Sequence, residues 1–173
     1  MQRLAFLFFA VAVVVSTGFI VATGQDLPPR VASHFGLHGA ANGYMPRALY
    51  LLAFALLAGA LPIALSAVTA LVVRKAPRFA HRRDRQCLLQ PENRPIAIPF
   101  LTARSLVTSG LVSMLLGTLH YLVLQANQVV PPHLPYPAFP LVMGTFVVAF
   151  LSVGVLFKRQ MRAALSAHRR IDG

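Results

Sequence analysis

Histidine is the residue type with the widest chemical reach in this sequence. Of the six, His34, His38, His120 and His133 all fall towards one side of the topology derived below. Imidazole binds transition metals and titrates near pH 6.5, so these four raise two chemistries, a metal site and an external pH sensor. Asp26 is the sole carboxylate that could join them, and Gly36 interrupts any continuous helical face between His34 and His38. Capping and interfacial hydrogen bonding are the plainer roles, and no metal or cofactor is expected. His120 is different, because it sits inside an apolar stretch, where ionisable side chains face the interior of a helix bundle. Its plain role is a hydrogen bond to a neighbouring helix or to the first outer loop. Its sharper role is a haem or quinone ligand, with Met143 as a candidate partner.

Other chemistries are excluded by placement. Asp26, Asp84, Glu92 and Asp172 are the only acids and lie in distant segments, which removes paired-carboxylate catalysis. A single cysteine, Cys87, removes an internal disulfide framework and any multi-cysteine metal site. Phosphate-binding glycine loops, the GxSxG elbow and HExxH are absent. The expectation is a protein that is not an enzyme.

The elements that must position these residues are set by composition. Of 173 residues, 57% are hydrophobic and 12% charged, and mean hydropathy is +0.66, a profile outside that of soluble domains. Four stretches, residues 4–23, 48–73, 105–124 and 138–157, carry no full charge and are about the 20 residues that span roughly 30 Å of hydrocarbon. Unpaired backbone groups in lipid cost several kcal/mol each, so these must be helices, and the fold class is all-α, a single polytopic membrane domain. The first span is read as retained, since a secretory signal has a shorter apolar core.

Charge orients the spans. Fourteen of the sixteen Lys and Arg residues lie in the N-terminus, the segment 74–104 and the tail, while the first outer loop holds Arg30 and Arg47 and the third loop holds none. The bias of Lys and Arg towards the cytoplasm puts both termini inside and the loop 24–47 outside. Topology thereby accounts for the net charge of +12, and nucleic acid is not an expected partner. The basic segment 74–104 would meet anionic headgroups. The tail KRQMRAALSAHRR would extend the fourth helix, with Met161 and Leu165 on a stripe at the membrane surface. Tyr44, Tyr50, Tyr121 and Tyr136 all fall near the outer interface, where tyrosine is enriched. Ser109, Ser113 and Gly117 recur every four residues, a spacing that lets helices approach closely and that would suit helix–helix association. Pro62 should bend the second span.

The outer loop GQDLPPRVASHFGLHGAANGYMPR is the informative segment. If Pro28 opens a short helix, Leu27, Val31 and Phe35 form one apolar stripe, Gly36 and Gly39 end it, and Asn42-Gly43 makes a turn. The expectation is a small structured cap at the outer leaflet.

This loop resembles the extracytoplasmic motif of a bacterial domain of unknown function, also found in SdpI-type immunity proteins. Leu27, Pro28, Val31, His34, Phe35, Gly39, Gly43 and Tyr44 match its pattern, with Ala32 in place of its second proline, Asn42 of its aspartate and Arg47 of its lysine. CLLQPENR, His120, Asn127 and Pro131-Pro132 look like the second half of small proteobacterial members. The resemblance implies a multi-pass protein of the bacterial inner membrane, with the lipid bilayer and an envelope protein or peptide as partners and envelope sensing or immunity as its role. The alternative class is an accessory subunit of a membrane complex. Because the charge asymmetry is large, a cytoplasm-active reporter fused at Cys87 or Gly173 should work and one at Gly39 should not. The reverse pattern would invert the whole topology.

Overall fold

The computed structural model describes residues 1–36, 38–75, 77–79, 82, 85, 89–135 and 137–171; Cys87, Asp84, Tyr136 and Asp172 lie outside these described residues. Four helices are long and apolar enough to cross a membrane. The first is α1 (Gln2–Thr23). The second runs from α2 (Arg47–Ala55) through a π-helical turn (Leu56–Ala60) into α3 (Leu61–Lys75). The third and fourth are α4 (Arg94–Asn127) and α5 (Ala138–Ile171). Between α1 and α2 the chain forms an antiparallel hairpin of β1 (Arg30–Phe35) and β2 (Ala41–Pro46).

The central helix is α4, which packs against α1, α3 and α5. Its approach to α1 depends on missing side chains. A Cβ at Gly117 would lie 3.0 Å from Ser16 Oγ, 3.1 Å from its Cβ and 3.4 Å from its Cα, and one at Gly110 would lie 2.7 Å from the Phe8 ring. The four-residue spacing read from the sequence is therefore a contact surface with α1. Ser113, fully buried between these glycines, donates its hydroxyl to Ala58 O at 2.6 Å and lies 3.4 Å from Ala12 O. That bond answers an irregularity in the second span: Pro62 has no N–H for the carbonyl four residues back, which is Ala58, and the ladder widens into the π turn just before it. The neighbouring helix supplies the missing donor, as lipid cannot.

Two expectations about the inner end are corrected. The segment 74–104 is not loop throughout, because α4 begins at Arg94, ahead of residue 105. Ala97 and Leu101 are buried there with Val73, Met161 and Leu165, so the apolar stripe of the tail packs onto α3 and α4 and does not lie on a membrane surface. A stripe four residues apart suits a bilayer or a neighbouring helix equally, and here the neighbour takes it. By contrast, the apolar window of α5 has no buried residue, and a Cβ at Gly144 or Gly154 would meet nothing within 4 Å.

Gly117→Val forces α1 and α4 apart and should lower stability in detergent by about 1 to 3 kcal/mol, the usual range for overpacking. Gly144→Val, on the open face, is the control and should leave thermal unfolding within about 0.5 kcal/mol of wild type. Equal effects of the two would show that the glycine seam does not set the helix spacing.

Candidate functional site

The outer loop is structured, but as a hairpin. Leu27 and Val31 are buried with Tyr50, Val123 and Leu124, and Phe35 is half-buried against the same cluster. The helical stripe expected of these three residues is thus replaced by extended chain, with Leu27 buried ahead of β1 and Val31 buried within it. Pro28 and Pro29 explain the choice: the residue before a proline is pushed out of the helical region, and Leu27 is extended (φ −80°, ψ 145°). The turn also falls elsewhere than expected. Asn42 and Gly43 lie inside β2, and the reversal is closed by hydrogen bonds among Gly36, Gly39 and Ala40, with Gly39 at φ +85°. Gly43 is opposite His34, and a Cβ there would lie 2.9 Å from the His34 Cβ, so the glycine makes room for the histidine.

Two side chains and one backbone segment pin this hairpin from outside. Asn127, the last residue of α4, acts as a surrogate strand. Its Oδ1 accepts from Ala32 N at 2.9 Å, and its Nδ2 donates to Ala32 O at 3.0 Å and to Val123 O at 2.8 Å. Arg47 donates from Nη1 to Gln25 O and Leu27 O, closing the base of the loop. At the tip, the chain after α4 adds a third extended segment: Ala41 N donates to Pro132 O at 3.2 Å and Leu134 N to Gly39 O at 2.8 Å. The ring of His133 lies over Gly39, where a Cβ would come within 2.8 Å of its Cε1.

Directly beneath this cap is His120, fully buried. Its Nε2 lies 2.9 Å from Thr23 Oγ1 and its Nδ1 3.0 Å from the Tyr50 hydroxyl. The directions of these bonds follow from counting protons. Thr23 Oγ1 gives its only hydrogen to Phe19 O at 2.7 Å, so it must accept from His120, which puts a hydrogen on Nε2. Nδ1 of the neutral ring is then an acceptor, and Tyr50 donates to it. Tyr50 stacks on the imidazole at 5.7 Å between centroids, Phe54 stacks on Tyr50 at 4.5 Å, and Phe19 meets the imidazole edge-on at 5.6 Å. Tyr50 is therefore an interior residue, not the interfacial anchor its position suggested.

The outer histidines do not gather. His34 is exposed and lies 3.0 Å from Ser33 Oγ through Nδ1, while His38 and His133 are exposed near the turn. Among the described residues no three His, Cys, Asp or Glu side chains come together in a metal-binding group. The motif residues sort into three kinds. Leu27, Pro28, Val31 and Phe35 are buried or half-buried, Gly39 and Gly43 set backbone and clearance, and His34, Asn42 and Tyr44 are exposed. Sequence inspection singled out Asn127 only through the resemblance, and missed its role because its partner lies 95 residues away.

Residues 7–59 match a domain of unknown function, DUF1648. That stretch holds α1 from Leu7, the hairpin and the second span as far as Gly59, and so includes Thr23, Ala32, Tyr50 and Ala58; their partners Ser113, His120 and Asn127 lie beyond it. No curated protein and no solved structure matches the chain.

Tyr50→Phe deletes the donor to Nδ1 and should cost about 1 kcal/mol, as should Thr23→Val at the other nitrogen. The double variant should cost less than the sum of the two, since both act on one ring. Nitrogen NMR of labelled His120 should show the Nε2–H tautomer, and an Nδ1–H signature would reverse the bond directions assigned above.

Proposed function

We propose that this chain is a non-enzymatic recognition module of the bacterial plasma membrane. In this reading both termini are cytoplasmic, and the hairpin cap faces outward as the docking surface for an envelope peptide or protein. The observation that carries the reading is a division of labour within the cap. Its backbone is pinned at the base by Arg47, along one edge by Asn127 and at the tip by residues 132–134. On that rigid frame His34, Asn42 and Tyr44 are exposed, and no hydrogen bond beyond the one to Ser33 explains the imidazole of His34. Exposed polar and aromatic side chains on an immobilised scaffold suit binding, because little conformational entropy is left to lose. The strong bias of basic residues to the other end supports the orientation.

Sensing also needs a route inward, and α4 offers one. It runs unbroken for 34 residues, about 51 Å, from the clamp on Ala32 to the cluster that holds Met161 and Leu165 of α5. An immunity role would use the same outer surface. A haem-binding accessory subunit is less well supported, as both ring nitrogens of His120 are engaged by Tyr50 and Thr23.

A photo-crosslinking residue placed at Tyr44 in intact cells should give a discrete protein or peptide adduct. The same probe at Leu151, which is 66% exposed on α5, should give none. His34→Ala and Asn42→Ala should each reduce the adduct several-fold while shifting stability by less than about 0.5 kcal/mol. Adducts with lipid alone at position 44 would make Tyr44 an interfacial anchor and sink the proposal.

A further inference from the structure

Beside the hairpin tip lies a half-open cavity of about 330 Å³, at the lower end of the range for ligand sites. Its walls are Phe35 and Gly39 from the hairpin, Leu134 and Pro135 from the third extended segment, and Phe139 and Pro140 from the first turn of α5. Among the described residues the lining is mostly apolar. The N–H groups of Gly36, Gly39 and Leu134 are spent inside the cap on Ala40 O, Gly36 O and Gly39 O, and Pro135 and Pro140 have none. An extended peptide lying here would find none of those N–H groups free to pair with, whereas a hydrocarbon chain has no polar groups to satisfy.

Two further observations identify the occupant. The floor of the cavity is the start of a membrane span whose outward surface, Phe139 and then Leu141, is exposed, so a lipid chain reaches it without leaving apolar surroundings. The ring of His133 lies over the wall residue Gly39, and His38 precedes that glycine in the chain; both histidines are exposed. In the sequence from residue 27 to 47, and from 128 to 140, there is no carboxylate to repel an anion. We propose that this cavity takes one acyl chain of an anionic phospholipid from the surrounding bilayer, with the headgroup phosphate at His38 and His133.

The full-length protein in a neutral detergent can be titrated with phosphatidylglycerol and with diacylglycerol of the same chains, reading unfolding temperature and, by native mass spectrometry, retained lipid. One phosphatidylglycerol per chain should be retained and should raise the unfolding temperature. Diacylglycerol, which lacks the phosphate, should bind roughly tenfold more weakly, the factor that one charge-assisted hydrogen bond supplies. Gly36→Leu fills the cavity, because a Cβ there meets nothing closer than 3.7 Å and the backbone is not in the left-handed region. It should abolish retention without lowering the lipid-free unfolding temperature. The pair His38→Ala and His133→Ala should keep chain binding but erase the preference for phosphatidylglycerol, and this reading stands if Gly36→Leu fails to fold. Equal affinity for the two lipids in the wild type would overturn the proposal. So would retention in Gly36→Leu, which would place the lipid at the basic inner end, or displacement of the lipid by an extended apolar peptide.

Discussion

In a medium without water every polar backbone group needs a partner from the protein itself, and in this molecule α4 supplies the partners that the other segments lack. Ser113, His120 and Asn127 fall seven residues apart along it. Ser113 serves the carbonyl that Pro62 leaves without its usual donor. His120 ties the end of α1 to the start of the second span through Thr23 and Tyr50. Asn127 holds both backbone groups of Ala32 in β1. Two turns of helix separate each of these bonds from the next, so all three point from roughly one side of α4. Shape follows from that side: the glycines at 110 and 117 bring α1 close enough for the polar side chains to reach their targets.

The membrane helices were legible because their signal is local. Twenty apolar residues without a charge carry the same meaning wherever the chain goes next, and the breaks at Gly24 and Gln128 lie close to those read from hydropathy. The inner boundary of α4 was less legible. Arg94 and Arg104 end an apolar run without ending a helix, since arginine is a good helix former. His120 could be read as interior from its depth alone, while the identity of its partners could not, because Thr23 and Tyr50 lie 97 and 70 residues away.

The hairpin was misread for a physical reason. Leu27, Val31 and Phe35 are spaced four apart, which fits a helix, yet Leu27 is extended and Val31 and Phe35 lie in a strand containing an irregularity at Ser33. Local periodicity could not arbitrate, and an isolated two-stranded hairpin is marginal in water. What makes this one hold is supplied from afar: the amide of Asn127 on one edge and the segment around Pro132 at the tip. Asn42-Gly43 illustrates the same point. It is a turn dipeptide by composition, but the pairing of His34 with Gly43 draws it into β2 and leaves the reversal to Gly36 and Gly39.

The separation between β2 and Asn127 also imposes an order on assembly. The hairpin ends at Pro46, and the residue that closes its open edge follows some eighty positions later. With synthesis at about 5 to 20 residues per second, the loop waits roughly 4 to 16 seconds before its clamp is made. During that interval the edge of β1 lacks the amide of Asn127, and the hydroxyl of Tyr50 has no imidazole to receive it. A half-made chain is thus chemically distinct from a finished one at its cap, and the emergence of the end of α4 marks the moment at which the difference disappears.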